Sequence, residues 1–268
     1  MIFKIEYQPG NLSFDEFQRV DAECFHLEPI NQLTFANFSS QDFWAAYDST
    51  RLVGYNYAVR KPDVSWLSRI CVSETYRRKG IASSLLQMVI DHAGEIGLPD
   101  LLLYVQSDNL PAIQLYEQFR FQIIETAYQF KLVDRQNIFS IQRSELITAV
   151  PITEVEKSRW PEFLPEWMNI TELHRPPEEY VLLFFNSSGE NQGYCRLTPH
   201  FPGCFPFVVK QPFANLIPVL QALHPYQLPN KDDLMLTFSD EDLADACRQS
   251  GLKLNYQLYK MFRRGNPK

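Results

Sequence analysis

The fold is decided by the stretch Ser73-Glu74-Thr75-Tyr76-Arg77-Arg78-Lys79-Gly80-Ile81-Ala82, which joins two contrasting segments. Before it, Trp66–Val72 has the composition of a β-strand, and after it Ile81–Ile96 repeats apolar residues at helical spacing. The chain has a net charge of −7, yet this loop carries three basic residues in succession at 77–79. Unpaired backbone N–H groups and a helix dipole converge where such a loop opens a helix, so the stretch predicts a site for an anion such as phosphate.

The loop has neither of two common phosphate-binding fingerprints. Both G-x-x-x-x-G-K-[ST] and G-x-G-x-x-G are missing from it. Gly80 permits a close backbone approach or a positive φ angle, and Ala82 keeps the early helical residues small. The pattern Arg77-x-x-Gly80-x-Ala82 resembles the R/Q-x-x-G-x-G/A pyrophosphate motif of the GCN5-related N-acetyltransferase (GNAT) superfamily.

A second segment of the chain carries the same resemblance. The family's N-x-x-A-x-x-x-Y-x-x-x-G-F pattern is matched at Asn109, Ala112, Tyr116 and Phe121. Arg120 stands where the family usually has glycine. The resemblance implies an α/β fold, an α+β mixed sheet of the acyl-CoA N-acyltransferase (GNAT) type, with acetyl-CoA in a V-shaped split between two parallel strands. Those strands would be Trp66–Val72 and Leu101–Val105, the latter an apolar run typical of a strand buried on both faces.

The resemblance also implies roles for single residues. The backbone of three strand residues would hold the pantetheine arm and polarise the thioester carbonyl: Ile70, Cys71 and Val72. Seven loop residues would bind the pyrophosphate: Arg77, Arg78, Lys79, Gly80, Ile81, Ala82 and Ser83. Asn109 would contact the cofactor arm, and Tyr116 would donate a proton to the departing thiolate.

Several of these residues have structural alternatives. Asn109 also fits a helix cap before Pro111. Tyr116 lies on an apolar helical face and also fits a core position. Cys71 fits a small buried hydrophobic residue better than an acyl-enzyme nucleophile.

The strand before the loop offers no carboxylate as a general base. An amine of pKa about 10.4 must lose its proton before attack, at a cost of roughly 4.6 kcal/mol at pH 7, so a base or a water chain is required. His26 is a possible base, although a lone histidine is more often structural.

We therefore expect an acetyl-CoA-dependent N-acetyltransferase that moves the acetyl group to a primary amine by direct attack. The alternative is a non-catalytic acyl-CoA-binding sensor or scaffold, and longer acyl groups stay open in either case.

The second half of the chain repeats the order of elements of the first. With an offset of 131 residues, Tyr128–Lys131 aligns with Tyr259–Phe262, and a strand, an acidic turn, a short helix and a long strand recur together. We therefore predict two tandem copies, a GNAT domain over 1–134 with an intact loop and a degenerate GNAT-like domain over 145–268.

The second copy lacks the residues that carry chemistry in the first. Only residues 210–212 separate its strand from its helix, which leaves no room for a phosphate loop. Cys247 and Asp240 stand at the positions of Tyr116 and Asn109. We predict that this copy packs like the second protomer of a dimer.

Composition narrows the remaining classes of protein. The 268 residues are 45% hydrophobic and 21% charged, as in globular proteins, and the acidic net charge disfavours nucleic-acid binding. The five cysteines contain no C-x-x-C pair, which argues against a zinc site and a disulfide framework, and their odd number fits a reducing compartment. We recognise no secretory leader or membrane span.

We expect a cytoplasmic protein that takes acetyl-CoA and a small-molecule or peptide amine acceptor. No metal, nucleic-acid or membrane partner is expected, and the oligomeric state would be a monomer with an internal pseudo-dimer or a weak homodimer.

Overall fold

The chain forms two compact units. The computed structural model describes residues 3–25, 30, 32–36, 41–133, 138, 141, 146–165, 168, 170, 174–199, 203–228 and 233–265. The first unit consists of Met1–Ile124 and Tyr259–Lys268, and the second of Glu125–Leu258. Among the described residues, no helix combines the length and apolarity needed to cross a lipid bilayer.

The first unit is a mixed sheet with helices on both of its faces. Its own strands are β1 (Lys4–Tyr7), β2 (Asp42–Asp48), β3 (Arg51–Arg60), β4 (Ser65–Val72) and β5 (Leu101–Gln106), which lie in that order. Its helices are α1 (Phe14–Cys24), α2 (Gln32–Ala36), α3 (Ile81–Glu95) and α4 (Leu110–Gln118). Strands β1 to β4 pair antiparallel, and β5 runs parallel to β4.

Each face of this sheet has its own apolar core. On one face, α3 packs Leu85, Leu86 and Val89 against the sheet, which are the positions that the helical spacing predicts. On the other face, α1 packs Phe17 and Val20 against β2, β3 and β4. Strand β5 alternates buried and half-buried residues, so the prediction that it is buried on both faces is wrong. Its odd-numbered residues are buried in the α3 core, whereas its even-numbered residues, on the opposite face, are only half-buried.

Helix α1 is joined covalently to β4. Cys24, the last residue of α1, forms a disulfide with Cys71 of β4, with an S–S distance of 2.03 Å. The expectation of no disulfide is therefore wrong, and the odd cysteine count no longer supports a reducing compartment. The two residues are 47 positions apart in sequence and meet because α1 crosses β4, which cysteine spacing does not reveal. The other three cysteines are reduced and buried.

The second unit repeats this architecture. Its strands are β6 (Gln122–Leu132), β7 (Thr148–Pro151), β8 (Tyr180–Phe185), β9 (Asn191–Thr198), β10 (Gly203–Val209), β11 (Leu234–Phe238) and β12 (Lys253–Arg263). Its helices are α5 (Trp160–Phe163), α6 (Pro212–Ala222) and α7 (Glu241–Gln249). Strands β10 and β11 are parallel, as β4 and β5 are in the first unit.

The two halves of the chain exchange their last strands. Most of β6 belongs to the second unit, where it pairs antiparallel with β11, Leu132 lying opposite Leu234. The end of β12, from Tyr259, belongs to the first unit, where β12 lies next to β5. The units therefore differ from the predicted segments 1–134 and 145–268 in these two strands. The sequence repeat gives no sign of the exchange because β6 and β12 occupy equivalent places in it.

Candidate acyl-donor site

The central parallel strands of the first unit separate soon after they meet. They pair only through Ser65 with Leu101 and through Trp66 with Leu102. No further pair joins β4 to β5 among the described residues, although β4 continues to Val72. The strands therefore leave a split, as the resemblance implies.

The register of β3 decides which β4 residues direct their backbone into this split. Strand β3 places Tyr55 opposite Cys71 and Gly54 opposite Val72. The Ser73 N–H group donates to the Val53 carbonyl at 2.9 Å. Along an antiparallel ladder, hydrogen-bonded pairs alternate with pairs that are not hydrogen-bonded, and Ser73–Val53 is a hydrogen-bonded pair. Cys71 therefore exchanges its backbone hydrogen bonds with β3.

Ile70 and Val72 consequently direct their backbone groups away from β3. The Val72 carbonyl accepts a hydrogen bond from Arg77 Nε at 3.1 Å, in agreement with this orientation. The Ile70 N–H and carbonyl and the Val72 N–H face the split. Of the three strand residues chosen from sequence, Cys71 thus has its backbone committed to the sheet.

A β-bulge in β4 re-aims the side chains next to the split. Leu67 lies opposite Ala58 and Arg69 lies opposite Tyr57, so Ser68 has no opposite residue. Before the bulge, Leu67 belongs to the core under α3. After it, Cys71 belongs to the core under α1.

Gly80 is the N-cap of α3 and has a left-handed backbone, with φ 82°. A β-carbon built there would meet no atom within 4 Å. Within the protein, the positive φ angle is therefore what favours a glycine at this position. Arg78 also has a positive φ, 59°, a conformation that strains a residue other than glycine.

The start of α3 offers an uncompensated group of donors. The first intrahelical bond runs from the Ser84 N–H to the Gly80 carbonyl at 3.0 Å. The N–H groups of residues 80–83 therefore have no partner within the helix. They share the positive end of the helix dipole, equivalent to about half an elementary charge. These N–H groups are the donors that the predicted anion site would use.

Two of the three basic side chains of the loop brace the loop itself. Arg77 binds the Val72 carbonyl. Lys79 Nζ donates to the Thr75 carbonyl at 2.7 Å and lies 4.8 Å from the centre of the Tyr76 ring. Arg78 is exposed at the tip. Arg78 is therefore the side chain best placed to meet a bound anion.

Asn109 caps α4, the structural alternative for this residue. Its side-chain oxygen accepts a hydrogen bond from the Ala112 N–H at 3.3 Å, and Pro111 follows in the first turn. Its side chain is exposed. A cap and a contact with a bound cofactor are compatible, because the cap uses only the side-chain oxygen.

Tyr116 lies on the buried face of α4. Its ring is 6% exposed and lies 5.7 Å from the Phe121 ring, centroid to centroid. Its hydroxyl makes no hydrogen bond to a residue that the structure describes. Burial raises the pKa of Tyr116 far above its usual value of 10. The hydroxyl therefore stays protonated at neutral pH, as a proton donor requires.

One polar cluster beside β4 was missed from sequence. Asp21 of α1 is fully buried and accepts a hydrogen bond from the Tyr55 hydroxyl. It also accepts from Arg69 at 3.0 Å and from the Ile30 N–H at 2.8 Å. The Arg69 guanidinium lies 4.2 Å from the centre of the Phe25 ring. Three donors thus converge on one carboxylate, which ties α1 to β3 and β4.

A signal for this cluster was present in the sequence. Phe17, Val20 and Cys24 define the inward face of α1, and Asp21 falls on the same stripe. A carboxylate in an apolar stripe needs a buried partner. Arg69, in the middle of a strand, was the cation available nearby in the fold.

No general base emerges from the described residues of the split. Neither β4 nor β5 contains a carboxylate. Ser68, at the bulge, donates its hydroxyl to the Tyr57 hydroxyl at 2.9 Å. His26, the candidate from sequence, lies outside the described residues.

The second unit has no counterpart of this loop. Helix α6 begins at Pro212, two residues after Lys210, whereas α3 begins eight residues after Ser73. Asp240 caps α7 through its side chain, as Asn109 caps α4. Cys247 replaces Tyr116 and is fully buried, and burial raises the pKa of its thiol to about 12.

Comparison with known proteins identifies the first half of the chain. Residues 11–121 match the family model of the acetyltransferase (GNAT) family. Mycothiol acetyltransferase of Corynebacterium efficiens is 28% identical over 118 residues, which are 40% of each chain. The chain spans only 31% to 40% of the length of the first mycothiol acetyltransferases that it matches.

Solved structures share the fold across both units. The GCN5-related N-acetyltransferase from Sphaerobacter thermophilus superimposes with a TM-score of 0.71 and 15% identity over 99% of this chain and 98% of that one. A tandem GNAT protein from the clavulanic acid biosynthesis pathway gives 0.67 and 11% over 100% of both chains. Identities this low establish the fold alone, and that fold includes two copies. Residues 11–121 therefore carry the sequence pattern of the acetyltransferase (GNAT) family, and the fold of the chain is that of solved GNAT proteins, including one with two copies.

Proposed function

We propose that this chain is an acetyl-CoA-dependent N-acetyltransferase that acetylates a small-molecule or peptide amine. The observation that carries the proposal is the continuity between the split and the anion site. The inward backbone groups of Ile70 and Val72 lead along β4 into the loop that ends in the free N–H groups of α3. Acetyl-CoA has a thioester, an amide-bearing arm and a pyrophosphate in the same order.

The anion site would hold the cofactor by its pyrophosphate. The N–H groups of residues 80–83 and the Arg78 side chain supply the donors and the positive charge. Arg77 and Lys79 would act indirectly, by fixing the loop. The pantetheine arm would lie along β4 and add backbone hydrogen bonds to the sheet edge.

The reaction would proceed by direct attack. The amine nitrogen bonds to the thioester carbon, and the N–H groups of Ile70 and Val72 are the donors available to the oxygen as it gains charge. One such donor contributes roughly 2.7–4 kcal/mol in enzymes of known mechanism. The C–S bond then breaks with its electron pair on sulfur, which takes a proton from the Tyr116 hydroxyl, and the tyrosinate regains a proton from solvent. The amine loses its own proton to water, because β4 and β5 hold no carboxylate.

A second candidate is an acyl-CoA-binding protein without turnover. The missing carboxylate favours it, since the same split and loop bind the cofactor whether or not an amine is activated. The two candidates differ in one measurable respect, the formation of an acetylated product.

Titration calorimetry with acetyl-CoA and with CoA tests the shared binding site. We expect one site per chain, because the second unit has no loop, and loss of binding in Gly80→Glu. Gly97→Glu is the matched control, because Gly97 also has a positive φ of 77° and open space at its β-carbon but lies at the other end of α3. Loss of binding in both variants would indicate a folding defect, and unchanged binding in Gly80→Glu would overturn the proposed site.

Turnover separates the two candidates. We expect wild-type protein to release CoA in the presence of at least one member of a panel of mono-, di- and polyamines, amino acids and peptides. Binding of acetyl-CoA without product from any amine would favour the sensor. No binding would overturn both candidates.

A further inference from the structure

The end of the chain is built into the unit that holds the candidate site. Met261 of β12 is fully buried in the core that also contains Tyr116, Phe121 and Leu103. Tyr259 packs against the same core. This segment comes from the half of the chain that lacks the phosphate loop, yet it completes the other copy.

Gly265 anchors the segment at its far end. Its N–H group donates to Asp100 Oδ1 at 2.8 Å. A β-carbon on Gly265 would overlap the Pro99 side chain and backbone, so no other residue fits without a shift. The segment is therefore held on both sides of Arg263.

Arg263 binds the end of α4. Its Nε donates to the Phe119 carbonyl at 3.1 Å, and Phe119 is the C-cap residue of that helix. The last carbonyls of a helix have no intrahelical donor and carry the negative end of the dipole. A half-buried guanidinium at this place satisfies one such carbonyl and matches the dipole.

The same helix end carries the backbone of Tyr116. The N–H groups of Phe119 and Phe121 both donate to the Tyr116 carbonyl, each at 3.0 Å. The Tyr116 hydroxyl has no hydrogen bond to a described residue that would orient it. The position of its oxygen therefore depends on ring packing and on where the last turn of α4 lies.

We propose that Arg263 is a positioning residue for Tyr116. By holding the Phe119 carbonyl it fixes the last turn of α4 and, with it, the hydroxyl that the proposed function makes the proton donor. The catalytic part of this inference rests on the proposed function. It also gives the loop-free half of the chain a role, since that half supplies the strand that steadies the proton donor.

Three variants test this role in the full chain. Arg263→Gln removes the charge, Arg263→Lys keeps it, and Arg264→Gln is the matched control because Arg264 is exposed one residue further on. Amide hydrogen exchange followed by mass spectrometry reports on α4 without any substrate. We expect faster exchange across residues 110–121 in Arg263→Gln, a smaller increase in Arg263→Lys and none in Arg264→Gln.

Steady-state kinetics and calorimetry supply the second readout. In Arg263→Gln we expect kcat to fall about tenfold or more, because small misplacements of a reacting group reduce rates steeply. The affinity for acetyl-CoA is expected to stay the same, since the phosphate loop is untouched, and Arg263→Lys is expected to recover part of kcat.

The outcomes separate this inference from the proposed function. Unchanged exchange in α4 overturns the positioning role. Faster exchange with unchanged kcat overturns its catalytic part. If the wild-type protein acetylates no amine, the proposed function fails, and with it the catalytic part, while hydrogen exchange still decides whether Arg263 holds α4. If Arg263→Gln does not fold, the comparison of Arg263→Lys with Arg264→Gln decides by the same criteria.

Discussion

The two central pairs of parallel strands share a geometry, but only the pair of the first unit is followed by the long loop of residues 73–80. Among the residues that the structure describes, two pairs join the parallel strands in each unit: Ser65–Leu101 and Trp66–Leu102 in the first, Gly203–Met235 and Cys204–Leu236 in the second. The pairing of β4 with β3 shifts at Ser68, and the pairing of β10 with β9 shifts between Cys204 and Phe207. The sheet thus keeps its split and its bulge in both copies.

The neighbouring strand is also equivalent in detail. A β-carbon at Gly54 would overlap the Cys71 carbonyl oxygen, and one at Gly193 would overlap the Val208 carbonyl oxygen. The Lys210 N–H donates to the Gln192 carbonyl at 2.7 Å, as Ser73 does to Val53. Close strand packing is therefore retained where the loop is not. The packing of the sheet therefore does not depend on the loop, since the second copy has the packing without the loop.

Shortening the loop of the first unit to the length of the second is expected to have the largest effect on acetyl-CoA binding. Deletion of residues 75–80 leaves one residue between Ser73 and Ile81, as Gln211 alone lies between Lys210 and Pro212. Four donors to the pyrophosphate at roughly 1.5–3 kcal/mol each are placed wrongly, so the affinity for acetyl-CoA falls by at least about a thousandfold. Calorimetry measures the loss, and circular dichroism shows whether the sheet persists. Retained binding in a folded deletion variant would mean that the loop is not the anion site.

The disulfide is the second large difference between the copies. Cys71 is bonded to Cys24, whereas Val208 stands at the equivalent place in β10. In the chain-entropy model, closing a loop of 47 residues raises the free energy of the unfolded chain by about 4 kcal/mol, which stabilises the folded state. We expect a dithiol reductant to lower the denaturant midpoint of the wild-type protein and to leave Cys24→Ser unchanged. Equal effects of the reductant on both proteins would show that the bond does not form in solution.

Local patterns in the sequence predicted the elements, and long-range pairings were beyond them. The spacing of Leu85 and Val89 predicted α3, and Gly80 marked its start, because helix periodicity and positive φ are properties of a few adjacent residues. The disulfide and the buried Asp21–Arg69 pair depend on α1 crossing β4. Such a crossing is a property of the whole sheet.

The strand exchange was hidden for a different reason. In a duplicated chain, β6 and β12 occupy equivalent places in the order of elements, so the sequence does not say which copy each one completes. Arg120, at φ 67°, lies at the place of Gly251, at φ 76°. The glycine of the family pattern is thus a backbone requirement that Arg120 meets at a cost in strain. The conformation is kept although the residue is not.

Tyr116→Phe tests the catalytic residue that the second copy lacks, because Cys247 stands at the same place there. Loss of a general acid reduces kcat by about a hundredfold or more. The affinity for acetyl-CoA is expected to stay the same, because the hydroxyl is needed only as the sulfur leaves. The raised pKa of Tyr116 keeps it protonated at pH 10, so no loss of wild-type kcat between pH 7 and 10 is expected from its ionisation. Equal kcat values for Tyr116→Phe and wild type, measured by CoA release, would exclude Tyr116 as the acid.

The smallest expected effect concerns the two open glycines of α3. Gly80→Ala and Gly97→Ala both place a β-carbon on a left-handed backbone with free space around it. Each is expected to lower the free energy of unfolding by roughly 1–2 kcal/mol, the cost of that conformation for an L-residue. Gly80→Ala alone is expected to weaken acetyl-CoA binding as well, because relaxing the strain moves the N–H groups of the phosphate loop. Unfolding in urea together with calorimetry separates the two effects. Equal binding by both variants would show that the backbone of Gly80 matters for the start of the helix and not for the anion.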